Sequence, residues 1–262
     1  MLYGVCADPR YGHVLAEAGF DFIELHVQNH LKTEQPETVF EEELVRIRAS
    51  PLHPLAANCF VPGHLKLTGP QVDWDGLAVY VTQAFTRAQA AGIKSIVFGS
   101  GGARGIPEGF DRDVAWQQLV RFGKLIGPMA EAHDVTVVVE PLNVSKGACN
   151  VLTTVGESGR YVEEVAHPNV RLLVDAYHWG LDGDSFEDLV AVAPLLHHAH
   201  IATVDNRLSP GFEPCDFSPF FSALKEGGYD GPISIEAEWQ DLERDAAVAY
   251  RNILDLVNDA GL

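Results

Sequence analysis

Short runs of β-branched and apolar residues alternate along the whole chain with longer stretches whose apolar positions recur at helical spacing. The strand-like runs are LYGVCA (2–7), DFIELHV (21–27), LAANCFV (55–61), SIVFGS (95–100), VTVVVEPL (135–142), RLLVDA (171–176), HAHIATV (198–204) and PISIEA (232–237). Helical patterns such as VLAEAGF (14–20), WDGLAVYVTQAFTRAQAAG (74–92) and AWQQLVRFGKLIGPMAEAH (115–133) follow them. Eight such βα units predict an α/β fold of the closed (β/α)8 TIM-barrel type, one domain over residues 1–262. An open doubly wound sheet would more naturally carry a G-x-G-x-x-G turn after the first strand, and VCADPRYG is not one.

Four of these runs carry a polar residue at or near the far end: Glu140, Asp175, His200 and Glu236 on runs five to eight. Barrel enzymes gather their chemistry at the carboxyl ends of strands. A carboxylate held there away from water is costly unless it is paired or binds a cation, so the pattern points to a metal site. The plainer reading of Glu140 and Asp175 is a structural ion pair. Strand alternation leaves two choices open, because His198 shares a face with His200, and Glu238 with Glu236.

Composition narrows the partners. With 37 acidic against 18 basic residues and a net charge of -19, the chain should repel nucleic acid. Cys6, Cys59, Cys149 and Cys215 lack C-x-x-C spacing, which argues against a thiolate zinc site or a disulfide framework. No apolar run is long enough to span a bilayer and no basic-then-apolar leader is visible, so a cytoplasmic protein with no membrane partner is expected.

EPLN at 140–143, HPNVRLLVDAYHW at 167–179, HAHIATVDNR at 198–207 with the PG at 210–211, and ALKEGGYDGPISIE at 223–236 resemble the xylose isomerase-like barrels. That family includes sugar isomerases, ketose 3-epimerases and inosose dehydratases. The resemblance implies Glu140, Asp175, His200 and Glu236 as ligands of one divalent metal, with Glu140 and Glu236 also acting as acid and base. It further implies His178 and Arg207 as substrate contacts, and a homodimer or homotetramer. Three carboxylates with one imidazole suit manganese foremost, with magnesium, cobalt or zinc as alternatives.

The chain departs from the family after EPLN, where Val144-Ser145-Lys146-Gly147-Ala148 stands in place of an arginine followed by a glutamate. A ketohexose specificity therefore does not carry across. Glu24 and His26 alternate at the end of the second run and could bind sugar hydroxyls or form a structural network. Asn58 and His64 carry no clear role. Tyr177, Trp179, Phe60 and Phe110 are placed near loop mouths, with Trp179 as the apolar wall against a sugar face. The glycine-rich GSGGARGIPEGF (99–110) with Arg104 could cradle a phosphate, although such turns after barrel strands are common simply as turns.

The leading expectation is a metal-dependent isomerase or epimerase of a small-molecule sugar or polyol, working by proton abstraction beside a carbonyl through an enediolate. An inosose-type dehydratase on the same metal site is the runner-up. An apurinic/apyrimidinic endonuclease-like nuclease is disfavoured, because the fourth run ends in Phe98-Gly99-Ser100 rather than in an additional histidine, and the charge is acidic. A non-catalytic metal-binding barrel remains, since fold alone does not guarantee turnover.

Overall fold

In the computed structural model, which describes residues 1–262, eight parallel strands close into a barrel in chain order. They are β1 (Tyr3–Cys6), β2 (Phe22–His26), β3 (Pro54–Asn58), β4 (Ser95–Phe98), β5 (Thr136–Val139), β6 (Val170–Asp175), β7 (Leu196–Ile201) and β8 (Ile233–Ile235). β8 pairs back onto β1, with Tyr3 opposite Ile233, so no unpaired sheet edge remains. The helices around it are α1 (Gly12–Ala18), α2 (Glu37–Ala49), α3 (Trp74–Ala91), α4 (Gly101–Arg104), α5 (Arg112–Ala132), α6 (Val155–Val165), α7 (Ala176–Asp182), α8 (Phe186–Val192), α9 (Ser218–Glu226) and α10 (Leu242–Ala260). None is long and apolar enough to cross a membrane.

Local chemistry sets the helix ends. Asp73 accepts from the Gly76 amide at 2.9 Å to start α3, and Asp111 accepts from the Asp113 and Val114 amides to start α5. Strand parity sorts the side chains. Val137 and Val139 face outward into the core shared with the helices, while Val138 joins Val97 and Leu173 in a small apolar layer inside the barrel. On this parity Glu140 and Asp175, two places beyond Val138 and Leu173, also face inward, as do His200 and Glu236, two places beyond the mutually bonded His198 and Ser234, which puts all four above that layer.

Two register shifts adjust this arrangement. One between Leu172 and Leu173 sets Asp175 opposite His200, and another between Ile23 and Glu24 sets His26 opposite Asn58. The third strand is shorter than the 55–61 run predicts. Cys59 takes a φ of 56°, ending the strand at Asn58 and turning Phe60 into the helix-facing core, where it stacks on Phe85 at 5.5 Å. Phe60 is therefore a core residue and not part of a loop mouth.

Candidate metal and active site

The carboxyl end of β5 delivers Glu140, that of β6 Asp175, β7 delivers His200 and the end of β8 Glu236. One donor atom from each lies within 4.8 Å of all the others. His200 Nδ1 is 3.3 Å from Glu236 Oε2 and 3.6 Å from Glu140 Oε1. Glu140 Oε1, Asp175 Oδ2 and His200 Nδ1 are all buried, and none has a hydrogen-bond partner. Buried polar atoms nearly always find one, so three orphans converging on one point mark a place built for a group that accepts lone pairs. Alternation left His198 and His200 equivalent, but only His200 lies within the four-donor group.

Hydrogen bonds anchor Asp175 through its other oxygen and Glu236 through both. Asp175 Oδ1 caps α7 by accepting from the Tyr177 amide at 2.9 Å, which leaves Oδ2 for the site. Glu236 Oε1 accepts from Asn58 Nδ2 at 3.0 Å, and its Oε2 accepts from the Arg207 guanidinium. Arg207 also lies 3.5 Å from Asp175 Oδ2 and rests on the Tyr177 ring at 4.6 Å. A φ of 54° at Arg207 turns the chain back toward the barrel. His178 Nδ1 faces the Asn143 amide donors at 3.2 and 2.6 Å, so the ring proton resides on Nε2. That Nε2 lies 3.7 Å from Asp175 and 3.9 Å from Glu140.

These contacts push the carboxyl groups apart electrostatically. Burial raises the Asp175 carboxyl above its ordinary range, and His178 and Arg207 offset this only in part. Burial also works against ionised Glu236, but His200 and Arg207 outweigh it and hold Glu236 below the usual carboxylate range. Burial would lower His200, yet the Glu24 and Glu236 carboxylates raise it well above the ordinary imidazole value. Burial pushes the Cys59 thiol up to about 12, and Cys6 is raised as well, so neither thiol is a nucleophile near neutral pH.

Two features near β4 fix Glu140. A Cβ on Gly99 would stand 2.3 Å from Glu140 Oε2, so only glycine lets the carboxylate occupy this position. Gly99→Ala is expected to displace Glu140 and lower turnover on the order of 10²-fold with the barrel still folded, read by steady-state kinetics beside circular dichroism. Arg104, fully buried, donates to the carbonyls of Phe98 at 2.9 Å, Glu140 at 2.7 Å and Leu152 at 3.0 Å. It clamps the ends of β4 and β5 to the following loop and is closed to a phosphate, which sets aside the cradle reading of 99–110. Arg104→Met leaves three buried acceptors short of a donor, and urea denaturation is expected to show a loss of roughly 3 kcal/mol or more.

His178 and Arg207 thus lie with the four donors, while other expected contacts do not. The Glu24 side chain is 0% exposed and engaged by two imidazoles, at the edge of the neighbouring cavity and outside the four-donor group. Trp179 is carried by α7 onto Phe220, with ring centroids 6.0 Å apart, and so packs between helices instead of walling a sugar site. Lys146 reaches the Asp205 carbonyl at 3.3 Å and stands 5.1 Å from the Tyr177 ring centroid. Asn58 and Asn143 are site residues that strand patterning does not single out. A cavity of about 470 Å³ adjoins the cluster, lined by Asp8, His26, Lys32, Arg46 and Asn58 among others.

Comparison with known proteins gives concordant results. The family model described as xylose isomerase-like TIM barrel matches residues 13–256. Ketose 3-epimerase of Arthrobacter globiformis is 33% identical over 114 residues, 43% of this chain and 39% of that protein. The chain thus aligns with less than half the length of the first curated relatives it resembles. A D-psicose 3-epimerase structure in the presence of D-fructose superposes with a TM-score of 0.82 over 98% of this chain and 99% of the other, at 19% identity. The IOLI protein with a bound zinc atom superposes with a TM-score of 0.76 over 99% of each chain, at 18% identity. At these identities the two structures show a shared fold.

Proposed function

Because this chain belongs to the xylose isomerase-like TIM barrel family, we propose that it is a divalent-metal-dependent epimerase or isomerase of a ketose or related polyol. The observation that carries this reading is the convergence of the orphaned Glu140, Asp175 and His200 atoms beside Glu236. A purely structural ion-pair network would have satisfied them. Relatives named as ketose 3-epimerase and D-psicose 3-epimerase support the substrate class.

Glu140, Asp175, His200 and Glu236 would hold the ion, and their oxygen-rich set suits manganese foremost, then magnesium or cobalt, with zinc also compatible. When bound, such an ion supplies Lewis acidity that acidifies the C–H between a substrate carbonyl and its neighbouring hydroxyl. The chain performs the rest. Glu236, kept ionised by His200 and Arg207 against the cost of burial, is suited to take the proton from one face of that carbon. Glu140, delivered from the opposite part of the mouth on β5, returns a proton to the other face; the roles exchange in the reverse direction. His178 Nε2–H and the Arg207 guanidinium donate to substrate oxygens and neutralise charge that develops there. The neighbouring polar cavity accommodates the substrate's far end.

Incubation with free ketoses and polyols in manganese-supplemented deuterated water tests this reading. A product of the same composition carrying one solvent deuterium at the reacting carbon is expected. A product lacking the elements of water would reassign the site to dehydration, and no exchange or turnover with any of these compounds would reject the reading.

A further inference from the structure

Glu24 lies on β2 below the four donors and is the only carboxylate in contact with the far side of the His200 ring. Its Oε1 is 3.0 Å from His200 Nε2, and its Oε2 is 3.1 Å from His200 Nε2 and 3.1 Å from His198 Nε2. The two rings meet edge to face with centroids 5.3 Å apart. His198 Nε2 is also 2.9 Å from Ser234 Oγ on β8, while Cys6, paired with Glu24 across β1 and β2, brings its thiol within 4.8 Å of the carboxylate and of His200. Glu24, His198 and His200 side chains are all closed to solvent.

An ionised carboxylate only accepts, so the hydrogen between Glu24 and His200 belongs to His200 Nε2. The other ring nitrogen, Nδ1, then faces Glu140 and Glu236. We propose that Glu24 is a positioning residue that holds His200 Nε2–H and so turns Nδ1 toward the Glu140–Asp175–Glu236 carboxylates, where that nitrogen takes a divalent cation in place of any proton it carries. This rests on the reading that those four residues hold an ion. His198 and Ser234 are part of the same device. His198, fixed by Ser234, keeps its Nε2 3.1 Å from the second oxygen of Glu24, and this contact restrains the carboxylate from rotating away. Both histidines of the HAHIA segment thus serve one ligand: His200 supplies the nitrogen, and His198 braces the group that orients it. In this role Glu24 acts through the His200 ring.

Loss of a partner that orients a ligating imidazole generally weakens metal binding about 10–100-fold. Manganese binding by isothermal titration calorimetry of wild type, Glu24→Ala and Glu24→Gln, with 15N spectra of histidine-labelled zinc-loaded wild type, tests the proposal. Glu24→Ala is expected to bind manganese about 10–100-fold more weakly, and Glu24→Gln, whose amide oxygen still accepts from Nε2, to lose less. The zinc-loaded His200 ring is expected to carry its proton on Nε2 with Nδ1 on the metal. That spectrum needs no variant to fold, and a ring bound through Nε2 would overturn the proposal. So would wild-type affinity in Glu24→Ala. Failure of wild type to bind any divalent ion would overturn the four-ligand reading with it, whereas tight wild-type binding unchanged by either substitution overturns the positioning role alone.

Discussion

Glu236→Gln is expected to lower turnover by about 10²–10⁴-fold at saturating manganese while the barrel stays folded. The substitution keeps the shape of the side chain and an oxygen to accept from Asn58 Nδ2, now 3.0 Å from Glu236 Oε1. It removes the negative charge that Arg207 and His200 face, and with it the proposed capacity to take a proton from carbon. Because Glu236 is also an expected ligand, the rate must be measured over a metal titration, so that weaker binding is separated from slower chemistry. Exchange of the substrate C–H proton with solvent is the more direct readout. Exchange at the wild-type rate at saturating metal would remove Glu236 from the acid–base pair.

Chelation is expected to abolish activity and lower thermal stability together. Three carboxylates converge on this site, and the Arg207 guanidinium and the His178 and His200 imidazoles stand beside them. An ion present at about 100 times its dissociation constant stabilises the folded state by about 2.7 kcal/mol. For a chain of this size that corresponds to a melting temperature higher by several degrees. One equivalent of manganese added back should restore both properties. A melting temperature and rate indifferent to chelator and to added manganese would contradict a bound-ion site.

The barrel was legible in strand alternation, which also marks Glu140 and Asp175, whereas His200 and Glu236 stand out from His198 and Glu238 only through the family resemblance. Glu140 and Asp175 sit on runs of inward and outward residues long enough to fix parity, and so the ends of β5 and β6 were readable as mouth positions. Parity fails between His198 and His200, which share a face, and depth along the barrel decides between them: His198 lies a layer lower, against Ser234. Glu24 looked like a sugar contact for the same reason. Its facing direction was right, but only the structure shows the two imidazoles closing over it. Trp179 was misplaced because Asp175 caps a helix at once, and α7 swings the indole three residues later onto Phe220. Asn58 ends a strand too short and too small in side chain to mark that end as functional, and its pairing with Glu236 spans residues 178 positions apart. Arg104 gave a signal of the wrong kind: a cation in a glycine-rich turn suggests an anion, whereas its three acceptors are backbone carbonyls.

Elemental analysis of the purified protein after manganese reconstitution, run beside Glu140→Gln and Asp175→Asn proteins of matched circular dichroism, addresses the metal site most directly. About one divalent ion per chain in the wild type, lost from both variants without unfolding, is the result expected of four converging donors. An ion retained at full stoichiometry in both variants, or no ion in the reconstituted wild type, would contradict it.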